Sequence, residues 1–144
     1  MIDGYYNRFA PDKNYEQHVF RAGYVLQSAE LNEIQSAARD RVRGIADALF
    51  KDGDIIRDAQ ILVNADTGVT LCGSGAIYIM GAVRGVAPKT VTIPVVGLVT
   101  VGIRLISTVI TELEDPALRD PASLTRNYME PGAAREQLVA EWGF

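Results

Sequence analysis

Val91–Ile110 reads VTIPVVGLVTVGIRLISTVI. The fold depends on whether these twenty residues form a membrane-spanning helix or a strand. Their length and their single charge, Arg104, would suit a span. However, a proline and two glycines interrupt them, and they are rich in Val, Ile and Thr, which favour strands. From Val99 to Leu105 the apolar side chains also alternate with Thr, Gly and Arg, which is a period of two. The stretch therefore predicts a strand, and we expect no membrane association.

The rest of residues 54–144 continues this β-rich pattern. Short apolar runs are separated by turn-forming residues, and Glu136–Phe144 again alternates apolar and polar residues. The predicted strands before it are Ile55–Ile56, Ile61–Val63, Val69–Cys72, Ala76–Met80, Val91–Val95 and Leu98–Ile110. The Asp-Pro-rich stretch 114–122 is predicted to be an ordered loop. Short strands at this spacing predict an antiparallel β-sandwich or a small barrel.

One amphipathic helix is predicted over residues 28–51, with Ser28 as its N-cap and Asp52-Gly53 as its stop. Its apolar residues recur at spacings of three and four and form one stripe. The stripe consists of Leu31, Ile34, Ala38, Val42, Ile45 and Leu49. It either packs on strands of the same subunit, which is the interpretation we favour, or lines a bundle of helices around a subunit axis. The expected fold class is α+β in one structural unit: a docking arm (1–27), the helix (28–53) and a β-rich domain (54–144).

The arm, residues 1–27, is where aromatic residues are concentrated. Six of the eleven in the chain lie there: Tyr5, Tyr6, Phe9, Tyr15, Phe20 and Tyr24. No helical or strand period organises them, and an isolated arm has no core in which to bury them. Two interpretations stay open: the rings pack onto their own subunit, or they dock onto a neighbour, since Tyr and Arg are enriched in interfaces. Tyr6, Arg8 and Arg21 are the residues best suited to such docking.

The overall composition points to a surface that is covered by protein partners. The chain has 144 residues, of which 48% are hydrophobic, and a formal net charge of −4. This acidic balance argues against nucleic-acid binding, which needs basic patches. The mean hydropathy of +0.06 is high for a domain of this size, which exposes much of its surface. Eleven arginines against three lysines fit as well, because interfaces favour Arg over Lys.

The sequence contains no set of residues suited to catalysis. His18 is the only histidine and Cys72 the only cysteine, so we expect neither a His-rich nor a Cys-based metal site. A dyad of these two residues would lack a third group to orient it. Residues 73–75 imitate the centre of a nucleophile elbow but lack its flanking glycines and lie between strands. We therefore expect no enzyme activity, no cofactor and no metal.

Several stretches together resemble the N-terminal domain, of unassigned biochemical role, of tail-fibre and baseplate-associated proteins of tailed bacteriophages. The most specific is the helical motif Glu30–Gln35 (ELNEIQ) with the aromatic arm before it. The matching stretches are Tyr5–Phe9, Asp12–Tyr15, Val19–Gln27, Glu30–Gln35, Leu49–Gly53, Glu114–Leu118, Asp120-Pro121 and Pro131–Arg135. The resemblance therefore extends over nearly the whole chain.

The resemblance implies a structural protein of the virion tail, made in the host cytoplasm, that anchors a tail fibre or a related appendage to the baseplate. It implies self-association, with a homotrimer expected because most such fibres are trimeric. The other expected partners are tail or baseplate proteins and a fibre protein. Family members usually continue into fibre or spike regions, whereas this sequence ends at Phe144. Two interpretations stay open: a short baseplate component or adaptor, and one part of a longer fibre protein.

We expect the arm and the start of the helix to form the partner interface. Its residues are Tyr5, Tyr6, Arg8, Phe9, Tyr15, Phe20, Arg21, Tyr24, Leu31, Ile34 and Gln35. The alternative function is a carbohydrate-binding β module that contacts the host surface. That function would need exposed aromatic rings on the β-rich domain, where the candidates are Tyr78, Tyr128 and Trp142.

Overall fold

The computed structural model describes residues 4–144 and has the expected α+β composition, with one α-helix and eight strands among these residues. The chain divides into two compact units. The first contains the chain up to Asp54 together with Tyr78–Val83, and the second contains Ile55–Ile77 and Arg84–Phe144. The described part of the arm and the helix thus belong to the first unit.

Helix α1 spans Ser28–Asp47 and ends before the predicted boundary at Lys51. Its N-cap is Gln27, so the prediction of Ser28 as the cap was wrong, and Ser28 is the first helical residue. Gln27 and Glu30 form a capping box, in which the backbone N–H of Gln27 donates to the Glu30 carboxylate at 2.8 Å. The spacing of three residues between Gln27 and Glu30 allows this reciprocal pairing, which satisfies backbone donors at the start of the helix.

The C-terminal end of α1 is fixed by a buried tyrosine. Tyr78 is fully buried, and its hydroxyl donates a 2.5 Å hydrogen bond to the carboxylate of Asp47. Arg43, one turn earlier in the helix, donates to the same carboxylate at 3.1 Å. The ring of Tyr78 also packs against that of Phe50, with 5.4 Å between the centroids. These contacts hold the last turn of α1 and the segment that follows it within the first unit.

The strands differ from the prediction mainly where glycine and proline interrupt apolar runs. Two predicted strands, Ile61–Val63 and Val69–Cys72, are confirmed at their bounds. The strand predicted over Val91–Val95 instead spans Lys89–Thr92 and ends before Pro94, and the strand predicted from Leu98 begins only at Gly102. A further strand, Ala82–Val86, is missing from the prediction because Arg84 and Gly85 break its apolar pattern. The strands are β1 (Ile55–Asp58), β2 (Ile61–Val63), β3 (Val69–Cys72), β4 (Gly75–Ile79), β5 (Ala82–Val86), β6 (Lys89–Thr92), β7 (Gly102–Ile110) and β8 (Arg135–Gly143).

The eight described strands form two sheets, ordered β1-β4-β5-β8-β7 and β2-β3-β6. β7 and β8 pair antiparallel along their whole length, from Gly102 opposite Gly143 to Ile110 opposite Arg135. β5 joins β8 in a short parallel pairing, whereas β1 pairs with β4, β2 with β3 and β3 with β6 in antiparallel fashion. The sheets form a small sandwich and do not close into a barrel. In the described part of the chain no helix is both long and apolar enough to cross a membrane.

The core of the second unit centres on Trp142 in β8, which is only 2% exposed. Its indole N–H donates to the carbonyl of Gly73 at 3.1 Å, which joins β8 to the turn between β3 and β4. From β7, Ile103 and Leu105 pack against this core. Arg104 between them is exposed and pairs with Glu141 at 2.7 Å. The alternation seen in the sequence therefore separates a buried face from a polar outer face.

Residues 111–134 connect β7 to β8 in an ordered loop, as predicted for its Asp-Pro stretch. Pro116–Leu118 forms a short 3-10 helix, which is capped by the carboxylate of Asp115 through the N–H of Ala117. Further along, Arg119 and Pro131 form an isolated β-bridge. The two ends of the loop are thus tied together by backbone pairing.

A methyl group at Gly75 would collide with backbone atoms, so Gly75→Ala tests the packing of the second unit. Its Cβ would lie 2.5 Å from the carbonyl oxygen of Arg57 and would also overlap the N–H of Ala59. We expect the substitution to lower the free energy of unfolding by about 1–3 kcal/mol, because backbone cannot move aside cheaply. The control is Gly102→Ala, whose Cβ would meet nothing within 4 Å. In chemical denaturation the control should stay within about 0.5 kcal/mol of the wild type; equal losses in both variants would contradict the packing.

Alkaline unfolding tests the anchor at the end of α1. Burial raises the pKa of Tyr78 to about 12, and the hydrogen bond to Asp47 adds to the shift from the ordinary 10.0. Neutral Tyr78 therefore stabilises the folded first unit below about pH 10, and this stabilisation is lost as the pH rises through about 12. We expect the stability of Tyr78→Phe, measured by circular dichroism, to depend less on pH over this range. Tyr128→Phe, at an exposed tyrosine, should behave like the wild type; identical pH profiles for all three proteins would refute the assignment.

Candidate interaction surface

The arm lies along the polar side of α1, and one carboxylate makes two of the contacts. Glu33 accepts hydrogen bonds from Arg8 at 2.6 Å and from the ring nitrogen of His18 at 3.2 Å. The hydrogen bond from Arg8, helped by a smaller one from His18, holds the pKa of Glu33 below its ordinary value of 4.5. Glu33 thus joins two parts of the arm, ten residues apart in sequence, to one point on the helix.

Further polar contacts continue this attachment on both sides of Glu33. Asn7 donates to the hydroxyl of Ser36 at 2.7 Å. Asn32 donates to the backbone carbonyl of Tyr6 at 2.8 Å, which fixes the arm by its main chain. Near the middle of the helix Arg41 binds Glu16, through both the backbone carbonyl and the carboxylate. The arm is therefore held by hydrogen bonds and ion pairs and not by burial of its aromatic rings.

Most of the aromatic rings of the arm remain exposed. Tyr6 is 68% exposed and Tyr24 is 72% exposed, and Tyr5, Tyr15 and Phe20 are exposed as well. Phe9 is the half-buried member of the set. The Arg21 guanidinium lies over the ring of Tyr24 at 5.3 Å from its centroid. The arm is therefore attached to α1 of its own subunit through its backbone and polar side chains. Its aromatic rings, however, remain uncovered by the first unit, so docking of the rings onto a neighbour stays a prediction.

The apolar stripe of α1 is also exposed, and its exposure rises towards the C-terminal end. Leu31 and Ile34 are partly covered, whereas Val42, Ile45 and Leu49 are 62%, 70% and 72% exposed. The rest of the first unit leaves these last three side chains uncovered, and coverage of the stripe by strands of the same subunit stays a prediction. The residues of α1 that contact the arm or Tyr78 are the polar ones on the other side of the helix. This is the reverse of an ordinary surface helix, which turns its apolar stripe inwards.

The described residues of the expected interface all belong to the first unit, but the sequence prediction covered only part of the exposed surface. Leu31 and Ile34 are the better-covered start of the stripe, and the exposed side chain of Gln35 beside them donates to the carbonyl of Leu31 at 3.4 Å. The prediction omitted Val42, Ile45 and Leu49 as interface residues, although their spacing had identified them as apolar. It also omitted Glu33 as the residue that holds the arm, for which the only sequence signal was a carboxylate opposite the apolar stripe.

The residues considered for chemistry have structural roles. His18 is bound to Glu33, and Cys72 is buried in the core, where burial raises the pKa of its thiol. Gly73 and Ser74 connect β3 to β4, Gly75 is the first residue of β4, and the carbonyl of Gly73 accepts the hydrogen bond from Trp142. Among residues 4–144 no group of three or more His, Cys, Asp or Glu side chains is placed to hold a metal ion. The arrangement of this surface is suited to protein contacts.

The comparison with protein families covers nearly the whole chain. A family model described as a domain of unknown function (DUF4815) matches residues 4–144. No curated protein and no solved structure matches the chain. The matched region contains residues 4–27 of the arm, α1 and the eight described strands, so the surface described above is part of the domain that the family model describes.

Removing the charge of Glu33 should release the arm from α1. In Glu33→Gln, Arg8 and His18 lose their ion-pair partner, and amide hydrogen exchange in residues 5–18 is expected to accelerate. In the wild type the same release should occur on acidification, because a lowered pKa means that the stabilisation is present above 4.5 and is lost as the pH falls through the folded-state pKa.

The matched control is Asp40→Asn, which removes an exposed carboxylate from the same helix. Exchange mass spectrometry should find its arm as protected as that of the wild type. If Glu33→Gln leaves the protection of residues 5–18 unchanged, the carboxylate does not hold the arm.

Proposed function

We propose that this chain, which belongs to the DUF4815 family of domains of unknown function, is a structural protein of a bacteriophage tail. In this role it anchors a tail fibre or a similar appendage to the baseplate through protein–protein contacts and has no catalytic activity. Its expected location is the virion tail, after synthesis in the host cytoplasm. One observation carries the proposal: in the first unit, the exposed aromatic rings of the arm and the exposed apolar stripe of α1 occur together.

Exposed apolar surface of this extent supports a docking role. Burial of apolar area is the main favourable term in protein association, and Tyr, Phe and Arg are enriched where it occurs. The arm provides Tyr6, Phe20 and Tyr24, and the helix provides Val42 and Ile45, all of them more than half exposed. By contrast, the outer face of β7 and β8 carries the Arg104–Glu141 ion pair, as a face in contact with water does. The uncovered apolar residues are therefore best explained by partners.

The motif that carries the resemblance to phage tail proteins supports the same role. Within Glu30–Gln35, the polar residues Asn32 and Glu33 hold the arm, and the apolar residues Leu31 and Ile34 belong to the exposed stripe. A single six-residue segment thus fixes the arm on one side of the helix and presents apolar surface on the other. Self-association as a homotrimer, and contacts with baseplate and fibre proteins, are the partner assignments that belong to this proposal.

The alternative, a carbohydrate-binding β module, receives less support from the positions of the aromatic rings. Sugar-binding sites stack exposed rings on the ligand, but Trp142 and Tyr78 are buried and hydrogen-bonded inside the protein. Tyr128, in the loop before β8, is the exposed ring among the three candidates. One exposed ring on a loop is a weak basis for a glycan site.

Immunogold labelling of the particles of a phage that encodes this chain tests the proposal. Antibodies against the chain are expected to label the distal end of the tail, because an anchor of fibres stays in the finished baseplate. Antibodies against a capsid protein, which label the head, provide the control. Label confined to the head, or absence of the chain from intact particles, would refute the tail assignment.

A further inference from the structure

The exposed stripe of α1 has an eleven-residue repeat in addition to its spacings of three and four residues. Leu31 and Val42 are eleven residues apart, and so are Ile34 and Ile45, and Ala38 and Leu49. An eleven-residue repeat spans three helical turns at about 3.67 residues per turn, so the stripe follows the helix axis with only a slight right-handed drift. The apolar side chains therefore form a nearly straight row from Leu31 to the turn after α1.

From this row we infer that the occupant of the stripe is another copy of the same chain, with the α1 helices of neighbouring copies parallel and in register, as they can be in a homotrimer. Because the eleven-residue repeat keeps the apolar side chains in a nearly straight row, two identical rows can contact each other along their whole length. In register, every apolar residue of one copy meets the same residue of the other, from Leu31 to Leu49. Small residues on the flanks, such as Ala37 and Ala46, allow two such helices to approach closely.

The positions of polar residues distinguish this parallel arrangement from antiparallel ones. An antiparallel pair centred on Ala38 would set Leu49 of one copy opposite Gln27 of the other. A pair centred on Asp40 would set Ile45 opposite Gln35. Both arrangements leave a large, strongly exposed apolar residue against an amide, whereas the parallel arrangement does not.

The extent of exposure along the stripe favours the same arrangement. The second half of the stripe is bare, with Ile45 at 70% exposure, whereas Leu31 and Ile34 are already partly covered. A parallel pair brings the two bare halves together, so that each can be fully covered. An antiparallel pair would bring each bare half against a half that has less free surface to offer.

Three ion pairs within each copy involve charged residues of α1, namely Arg41–Glu16, Arg43–Asp47 and Glu33–Arg8. Parallel pairing brings identical charges near each other, which is repulsive where they are unpaired. The ion pairs reduce this repulsion, so burial of the apolar row is the main term that favours the contact.

Standard interfaces bury about 800 Å² per partner, and the row of six side chains provides part of this area. The segment before α1 extends the exposed apolar surface, since Tyr24, Val25 and Leu26 are all more than half exposed. The inference thus deepens the proposed function and rests on its premise that partners cover the first unit. It names the partner of the stripe as another copy of the chain.

Disulfide trapping in the full-length chain tests the arrangement. Ala38→Cys and Ile45→Cys each place one thiol on the stripe, and Asp40→Cys places one on the exposed opposite side as the matched control. The native Cys72 is 2% exposed, so the wild type provides the background rate. Under mild oxidation both stripe variants are expected to form covalent dimers at least about tenfold faster than Asp40→Cys, because the interface raises the local thiol concentration.

The pattern of cross-links separates the possible occupants. A disulfide needs Cα atoms within about 7 Å, and positions 38 and 45 are about 10 Å apart along a helix. An antiparallel pair, wherever its axis lies, can therefore link one of the two positions but not both, and that result would overturn the parallel inference. Links at neither position would mean that another protein or no protein covers the stripe, and would overturn it as well.

The result is independent of the test of the proposed function. Links at both positions with no label on the tail would leave the parallel pair standing and refute the phage-tail assignment. Label on the tail without disulfide links would support the phage-tail assignment and refute the parallel arrangement. Circular dichroism of each cysteine variant, expected to match the wild type, establishes that a missing link does not reflect loss of the helix.

Discussion

The arrangement of the first unit depends on the two hydrogen bonds that Glu33 accepts from the arm. Arg8 and His18 bind its carboxylate from different parts of the arm, and the neighbouring Asn32 and Ser36 add contacts to the same stretch of chain. Because these partners are polar, the arm occupies the polar side of α1. The apolar stripe is consequently left on the side that the arm does not cover.

This use of polar contacts explains why the chain is more apolar than its size would suggest. A small domain normally directs its helical apolar face inwards, and its remaining hydrophobic residues are scattered. In the second unit Trp142 and Ile77 are buried, but large apolar side chains such as Leu62, Val96 and Leu98 remain exposed there. The first unit adds the exposed rings of the arm and the exposed stripe of α1, so both units contribute to the unusual hydropathy.

Sequence periodicity predicted those elements in which the apolar residues share one face of a strand or helix. The alternation around Ile103 and Leu105 predicted β7, because burial of one face imposes that period on the sequence. Spacings of three and four predicted α1, because they place the apolar residues on one side of a helix. The cap at Gln27 and the strand Ala82–Val86 were missed for a different reason. A glutamine cap has a weak sequence preference, and Gly85 within a strand resembles a turn until its neighbours are known.

The sequence by itself determined the α+β class, the apolar stripe from Leu31 to Leu49 and the concentration of rings in the arm. Periodicity and composition are local properties, so they can be read without knowing what packs where. Only the tertiary structure decided which side of α1 is covered, because that depends on Arg8 and His18 meeting Glu33 across 25 and 15 residues of chain. Such long-range polar pairs leave no period in the sequence, yet they determine that the apolar surface faces outwards.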